Sequence, residues 1–337
     1  MELKDYFEYK DCFILTAGIR SVEIKRSTVK NPQITIGIPT FKRATLKEAI
    51  DSALSQNYTG LYEILIIDNN PKRDDETEGL IKQYDSEQLS YYKNEQNLGM
   101  AGNWNKMFTL CKSEFIVMLH DDDILSSTYL SDISRILEKY KDVSLITTDK
   151  IKWNENRDRM PSFRQDTGKH NLLSVSLESQ YYRFLFGAPS GVVFRRKDVI
   201  GLGGFNQDYY PSIDYILICN MIKNGRALYY KKDLLIYRSG NNTTTKIETE
   251  KAWLDIDPLF KMYLSRFTRL PKIIKEYSIH RDLSIRFKSI KEKDPLFTYT
   301  WKSKELKCPN YMERIIYRVF DIILCFYWKH RGKIDNI

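Results

Sequence analysis

The 337-residue chain has little of what staples or anchors a protein from outside its own core. Its five cysteines (Cys12, Cys111, Cys219, Cys308 and Cys325) are odd in number, and no two form a CxxC pair. Such spacing argues against a disulfide framework or a structural zinc site and fits a reducing compartment. The opening MELKDYFEYKD alternates charges and lacks the apolar run of a leader peptide. Nothing approaches the ~20 consecutive apolar residues that a membrane span needs. The expectation is a cytoplasmic chain. There is no internal repeat and no low-complexity linker, and no GxGxxG follows the first strand, which argues against a Rossmann dehydrogenase.

What is present is the balance of a folded domain. Hydrophobic residues make up 42% and charged residues 29%, so the chain is neither disordered nor collagen-like. The length suffices for one large or two ordinary domains. Aromatics are abundant, with 23 Tyr, which suits flat polar ligands such as sugars and bases but decides nothing alone. The net charge of +9 is unevenly placed: from residue 261 onward there are 18 Lys and Arg against 8 Asp and Glu, and before it 35 against 36. The neutral body carries no zinc, RRM or basic-zipper pattern, and no nucleic-acid partner is expected.

Along the chain, hydrophobic periodicity switches between two kinds. Strands are expected at 34–38, 63–68, 89–93 and 115–119, and helices at 45–56, 74–84, from the 97–99 turn to 110, and 128–140. The run EILIID is continuous, as in strands buried on both faces of a parallel sheet. Strands alternating with helices give the α/β class. Further on, strands are expected at 143–148, 191–194 and 227–230, a polar stretch at 154–171, a helix at 213–223, a Ser/Asn/Thr loop at 239–245, and basic helices from 252.

Ligands of an open parallel sheet bind beyond the carboxyl ends of its strands. There stand Pro39-Thr40-Phe41-Lys42-Arg43, Asp68-Asn69-Asn70 and His120-Asp121-Asp122-Asp123. Three adjacent carboxylates after a buried strand repel one another unless a cation compensates them, and oxygen ligands suit Mg²⁺ or Mn²⁺. A helix N-cap would need only one of them. Lys42 and Arg43 stand where they could touch phosphate or simply face water. His120 could be a ligand, a sugar contact or a plain strand-end residue.

The series IGIPTFKR, ILIIDNN, NEQNLGMAGNWN, VMLHDDDIL and GGFNQDYYPSIDYILICNM, covering about 33–245, resembles the family 2 glycosyltransferases of GT-A fold, in particular those that assemble bacterial capsular and cell-surface polysaccharides. The resemblance implies a Rossmann-like nucleotide-binding half with a mixed, mainly parallel sheet. It implies that Pro39, Thr40 and Arg43 wrap the nucleotide and Asp68 reads uracil or ribose. Asn97, Gly99 and Asn103 would line the donor site. Asp121, Asp122 and Asp123 match the metal motif, but His120 holds the place of its first acid. Either Asp121 and Asp123 form the ligand pair or Asp122 is the main contact. Asp214 matches the base, although Ile213 replaces the Glu that commonly precedes it, and Asp208 is the fallback. The loop 237–246 matches a lid that closes over the diphosphate, with Arg238 or Lys246 in place of its usual His.

The implied activity is inverting, metal-dependent transfer from a nucleoside diphosphate sugar, UDP-linked, to a lipid-linked saccharide. The competing expectation is a non-catalytic nucleotide-sugar-binding or membrane scaffold subunit with the same fold. The chain divides into an N-terminal extension (1–32), a GT-A domain (33–250) and a basic helical region (251–337). Within the last, 311–331 has the apolar spacing of an amphipathic helix that lies on an anionic membrane or docks on the body. Oligomeric state is left open.

Overall fold

The computed structural model describes residues 4–72, 74–164, 168–182, 184–239 and 246–336, with side chains described except at 325–331 and 336. In chain order the elements are α1 (Ile14–Ala17), β1 (Ser21–Lys25), β2 (Ile34–Thr40), α2 (Leu46–Leu54), β3 (Tyr62–Asp68), α3 (Thr77–Lys82), β4 (Leu89–Asn94), α4 (Gly99–Leu110), β5 (Phe115–Met118), β6 (Ile124–Leu125), α5 (Tyr129–Lys139), β7 (Val143–Asn154) and β8 (Asn171–Val175). There follow α6 (Leu177–Tyr182), β9 (Val192–Arg195), α7 (Arg196–Gly201), α8 (Ile213–Asn224), β10 (Arg226–Ser239), α9 (Ile247–Leu264), α10 (Lys272–Lys293), the hairpin β11 (Thr300–Trp301) and β12 (Lys304–Glu305), α11 (Tyr311–Gly332) and β13 (Lys333–Asn336).

One sheet carries the molecule, in the order β1-β4-β3-β2-β5-β9-β7-β10-β8-β13, with β6 on β10. Strands β4, β3, β2 and β5 run parallel, as do β7 and β10, while β9 is antiparallel to β5 and β7 on either side of it. This is the expected mixed α/β sheet with a parallel centre.

The continuous apolar runs have a simple cause: both faces are covered. Ile64 and Ile66 of β3 point into one core with Ala49 and Ile50 of α2 and Ile133 of α5. Their neighbours Leu65 and Ile67 point into another, with Met107 and Phe108 of α4 and Ile216 of α8. The period of two puts alternate residues on opposite faces, so neither face can be polar. Gly37 breaks the β-branched run of β2 because α4 crosses there; a Cβ would lie 2.1 Å from the Met107 sulfur.

Several strands exceed or escape the expected pattern. β7 and β10 run past 148 and 230 to Asn154 and Ser239, because they pair with each other in parallel over that length, with register shifts near Asp233. β1, β8 and β13 are short, partly exposed strands on or near the sheet edges. Their residues form no apolar run, so periodicity does not announce them. β13 pairs with β8, so the basic tail ends in sheet as well as helix. Tyr6 from the N-terminal segment and Phe260, Tyr263 and Leu264 of α9 join the core that holds α4 and α8. Among the described residues, no helix is long and apolar enough to cross a membrane.

Candidate active site

The acidic turn follows β5 directly. Leu119 N donates to Gly37 O at 2.9 Å, which holds the chain to β2 for one residue more, and Asp123 N closes the turn on His120 O at 3.2 Å. β6 then pairs with β10, bringing Ile124 opposite Ile236 and Arg238 beside the turn.

The three aspartates face different partners. Asp121 Oδ2 accepts from Phe41 N at 3.3 Å, and its Oδ1 lies 3.6 Å from Arg43 Nε. Asp122 Oδ2 lies 3.5 Å from Arg43 Nη2. Asp123 Oδ1 accepts from Arg238 N at 2.8 Å, whereas its Oδ2 is buried and, among the described residues, has no hydrogen-bond partner; His120 Nε2 is in the same state. One ligand atom from each of His120, Asp122 and Asp123 lies within 4.8 Å of the others. The structure therefore groups Asp122 and Asp123 with His120, while Asp121 is turned toward the loop after β2.

Burial dominates the proton chemistry here. It pushes Asp121 and Asp123 up to about 7, with the Asp122 charge adding to the effect. It holds His120 down at about 4, so the imidazole is neutral near pH 7. Two orphaned ligand atoms, a neutral imidazole and adjacent carboxylates short of counter-charge fit a divalent cation.

Asp214 opens α8 in a largely buried position, pushed up to about 7 chiefly by desolvation; its Oδ1 accepts from Tyr215 N at 2.9 Å. Asp208, by contrast, is exposed and paired with Lys10 at 2.5 Å.

Lys150 of β7 is a site residue that the sequence reasoning missed. Its Nζ donates to the carbonyls of Phe186 at 2.9 Å and Ala188 at 2.6 Å. Its charge is felt by both Asp123 and Asp214, and burial lowers its pKa to about 8. A signal was available: Lys150–Asn154 alternates polar and apolar residues at the strand period, which carries β7 past 148. Ser190, whose Oγ accepts from His120 N at 3.1 Å, left none.

The other residues singled out in sequence stand as follows. Pro39 and Thr40 end β2, buried, and Thr40 is in register with Asp68. Asp68 is fully buried; it accepts from Tyr91 Oη at 2.6 Å and Asn70 N at 2.8 Å, and Lys93 Nζ lies 3.9 Å away. Asn97 and Asn103 belong to an amide network with Asn69 and Asn94 that ties the ends of β3 and β4 to α4. Gly99 starts α4 at φ +67°, a conformation that a side chain would strain. Arg238 is buried behind the acidic turn, where Nε donates to Asp122 O at 2.8 Å and the guanidinium pairs with Glu155 at 2.8 Å and with Glu48. Residues 240–245 of the expected lid lie outside the described residues.

Known proteins resemble this chain in sequence and shape. The profile of glycosyl transferase family 2 matches residues 35–202. The GalNAc(5)-diNAcBac-PP-undecaprenol beta-1,3-glucosyltransferase of Campylobacter jejuni is 27% identical over 251 residues, covering 72% of this chain and 74% of that one. Residues 1–349 of TarS from S. aureus, in complex with UDP-GlcNAc, superpose with a TM-score of 0.57 at 14% identity, covering 77% of this chain and 74% of that one. In another crystal structure of TarS this chain spans 43% of the length. The mannosyltransferase PcManGT of Pyrobaculum calidifontis, in complex with GDP-Man and Mn²⁺, superposes with a TM-score of 0.53 at 14% identity, covering 91% and 84%.

Proposed function

The chain belongs to the family 2 glycosyltransferases, and from that premise we propose that it moves a sugar from a UDP-linked donor, with inversion, to a hydroxyl of a lipid-linked saccharide in surface polysaccharide assembly. The observation that carries this reading is an acidic turn with orphaned ligand atoms at the end of β5 and, linked to it through the charge of Lys150, a half-buried carboxylate, Asp214, poised near neutral pH. A general base works best with a pKa near the operating pH.

Asp214 accepts the proton of the acceptor hydroxyl as its oxygen attacks the anomeric carbon. The bond to the β-phosphate oxygen breaks on the opposite face, and UDP leaves with the electron pair. No covalent enzyme intermediate is required. His120, Asp122 and Asp123 would hold Mn²⁺ or Mg²⁺, which supplies positive charge to the departing diphosphate. Arg43, between Asp121 and Asp122, balances the turn and lies on the nucleotide side with Pro39 and Thr40. Asp68, Asn97, Gly99 and Asn103 shape the wall of the donor site. Arg238 serves that site from behind, by fixing the acidic turn.

The Campylobacter relative's undecaprenol-linked acceptor supports the choice of acceptor class, and the UDP-GlcNAc complex of TarS supports the nucleotide. We take 33–250 as the catalytic unit, with 1–32 and 251–337 packed on it and α11 lying toward the lipid. Asp214→Asn should lower transfer at least ~10²-fold, read as UDP released from a panel of UDP-sugars with membrane lipid extract as acceptor, and leave UDP binding unchanged in calorimetry. Full activity in that variant would remove Asp214 from the mechanism. Turnover with GDP-sugars in place of UDP-sugars would overturn the donor assignment.

A further inference from the structure

The helix that presents Asp214 is tied at its start to the C-terminal region. Ser212 is its N-cap residue, yet the Ser212 side chain caps none of the helix's own N–H groups. Serine at that position ordinarily accepts from the second or third amide of the helix. Here its hydroxyl instead donates to Asp257 Oδ1 on α9. Asp257 Oδ2 in turn accepts from Arg286 Nη2 of α10 at 3.3 Å. Arg286 lies over the ring of Trp253, one turn before Asp257 on α9, with its guanidinium carbon 4.1 Å from the centroid. The carboxylate is therefore fixed from two sides, by the start of α8 and by α10. Both helices lie outside the family-matched stretch.

We propose that Asp257, held by Arg286, is a positioning residue for the base: through Ser212 it fixes the first turn of α8, and its negative charge acts on Asp214 against the positive charge of Lys150. The inference rests on the reading of Asp214 as the base. The charged and titratable groups that face Asp214 are Lys150 from β7, Asp257 from α9, and Cys219 further along α8. Around Asp257 stand Arg286 and Asp282 from α10 and Lys261 from α9. Lys150 favours the ionised base, and Asp257 opposes ionisation. Burial brings the base near neutrality, and the Asp257 charge offsets that of Lys150, which by itself would weaken it.

Two effects separate in different variants. Asp257→Asn keeps an oxygen for the Ser212 hydroxyl and removes the charge. Asp257→Ala and Ser212→Ala both break the hold. In the full chain with ¹³C-carboxyl-labelled aspartate, the Asp214 resonance, assigned by its loss in Asp214→Asn, should titrate about half a pH unit lower in Asp257→Asn than in the parent. The acid limb of UDP release from the UDP-sugar that turns over should move the same way. Ser212→Ala should lower kcat about tenfold with KM for that donor within twofold, because the base is displaced and the donor site is not. An unmoved Asp214 titration in Asp257→Asn overturns the inference, as does parental kcat in Ser212→Ala. Asp257→Asn preserves the hydrogen bond, so the charge test survives even where Asp257→Ala fails to fold. Failure of the parent reading looks different: Asp214→Asn would then stay active. An inactive Asp214→Asn with an unmoved titration in Asp257→Asn sinks this inference alone.

Discussion

At the scale of residues, the role proposed for Asp214 ties function to stability. Its carboxyl sits at about 7 in the folded chain because burial penalises the charge, against an ordinary 3.8. Between those values the folded state holds a proton that the unfolded state has lost. Its contribution is therefore complete below about pH 4, declines as pH rises through 7, and above that leaves the full cost of a buried charge. Asparagine cannot ionise and escapes that cost. Asp214→Asn should melt with the parent at pH 4 and a few degrees above it at pH 8, a difference on the order of 2–4 kcal/mol. Scanning fluorimetry in EDTA reads this, and coincident melting at pH 8 would show that the carboxylate is solvated after all. This residue could be singled out in sequence, as could the acidic turn, because each is a local motif at the end of an element. Asp257 could not, since Ser212 lies 45 residues away in the chain, and Lys150 could be placed on a strand but not joined to Phe186, 36 residues on. Only the fold brings them together.

At the scale of elements, α11 shows how a helix can be legible while its setting is not. Its extent is written in the spacing and in the Asn310–Glu313 capping box at its start. Its docked side is not: Tyr317 is buried beside Tyr277, and Asp321 pairs with Arg281 of α10 and with Tyr182. What remains outward is a stripe of Met312, Ile315, Ile316, Val319, Ile322 and Ile323, all exposed, with Arg314 and Arg318 exposed among them. Such a face with flanking cations suits the surface of an anionic bilayer, in line with the lipid-linked acceptor proposed above. Removing 311–337 is a poor test, because β13 would be lost from the sheet edge with it. Ile316→Asp with Ile323→Asp leaves the docked side intact. In sedimentation with phosphatidylglycerol vesicles, this pair should lower binding at least ~10-fold, and the parent should bind less at high salt and less to phosphatidylcholine alone. Unchanged binding by the variant would separate α11 from the membrane.

At the scale of the whole molecule, the charge has a division of labour. The excess lies in the tail, while the catalytic body balances its signs yet concentrates acid at one point, the turn after β5. Arg43 faces that turn's outer carboxylates at 3.5–3.6 Å, the Arg238 backbone donates to Asp123, and the Lys150 charge bears on Asp123 as well. The parallel centre of the sheet was legible because burial on both faces leaves continuous apolar runs. The long β7–β10 pairing was legible only in part: Leu234, Leu235 and Ile236 of β10 are buried and apolar, but the second half of β7 is only partly buried and no local pattern joins the two strands. That pairing nevertheless sets the turn, since it carries Arg238 to Asp123. Cation and nucleotide should therefore bind as coupled ligands: each supplies charge that the other lacks, so each raises the other's affinity. Ligand at 100 times its Kd stabilises a fold by about 2.7 kcal/mol. Mn²⁺ with UDP should raise Tm by more than the sum of the separate shifts, and EDTA should stop turnover. Asp123→Asn, which removes one of the orphaned ligand atoms and keeps an acceptor for Arg238 N, should abolish the excess shift while the chain still folds. Additive shifts in the parent, or turnover that survives EDTA, would mean that the turn works without a metal and that Arg43 and Lys150 alone balance the diphosphate.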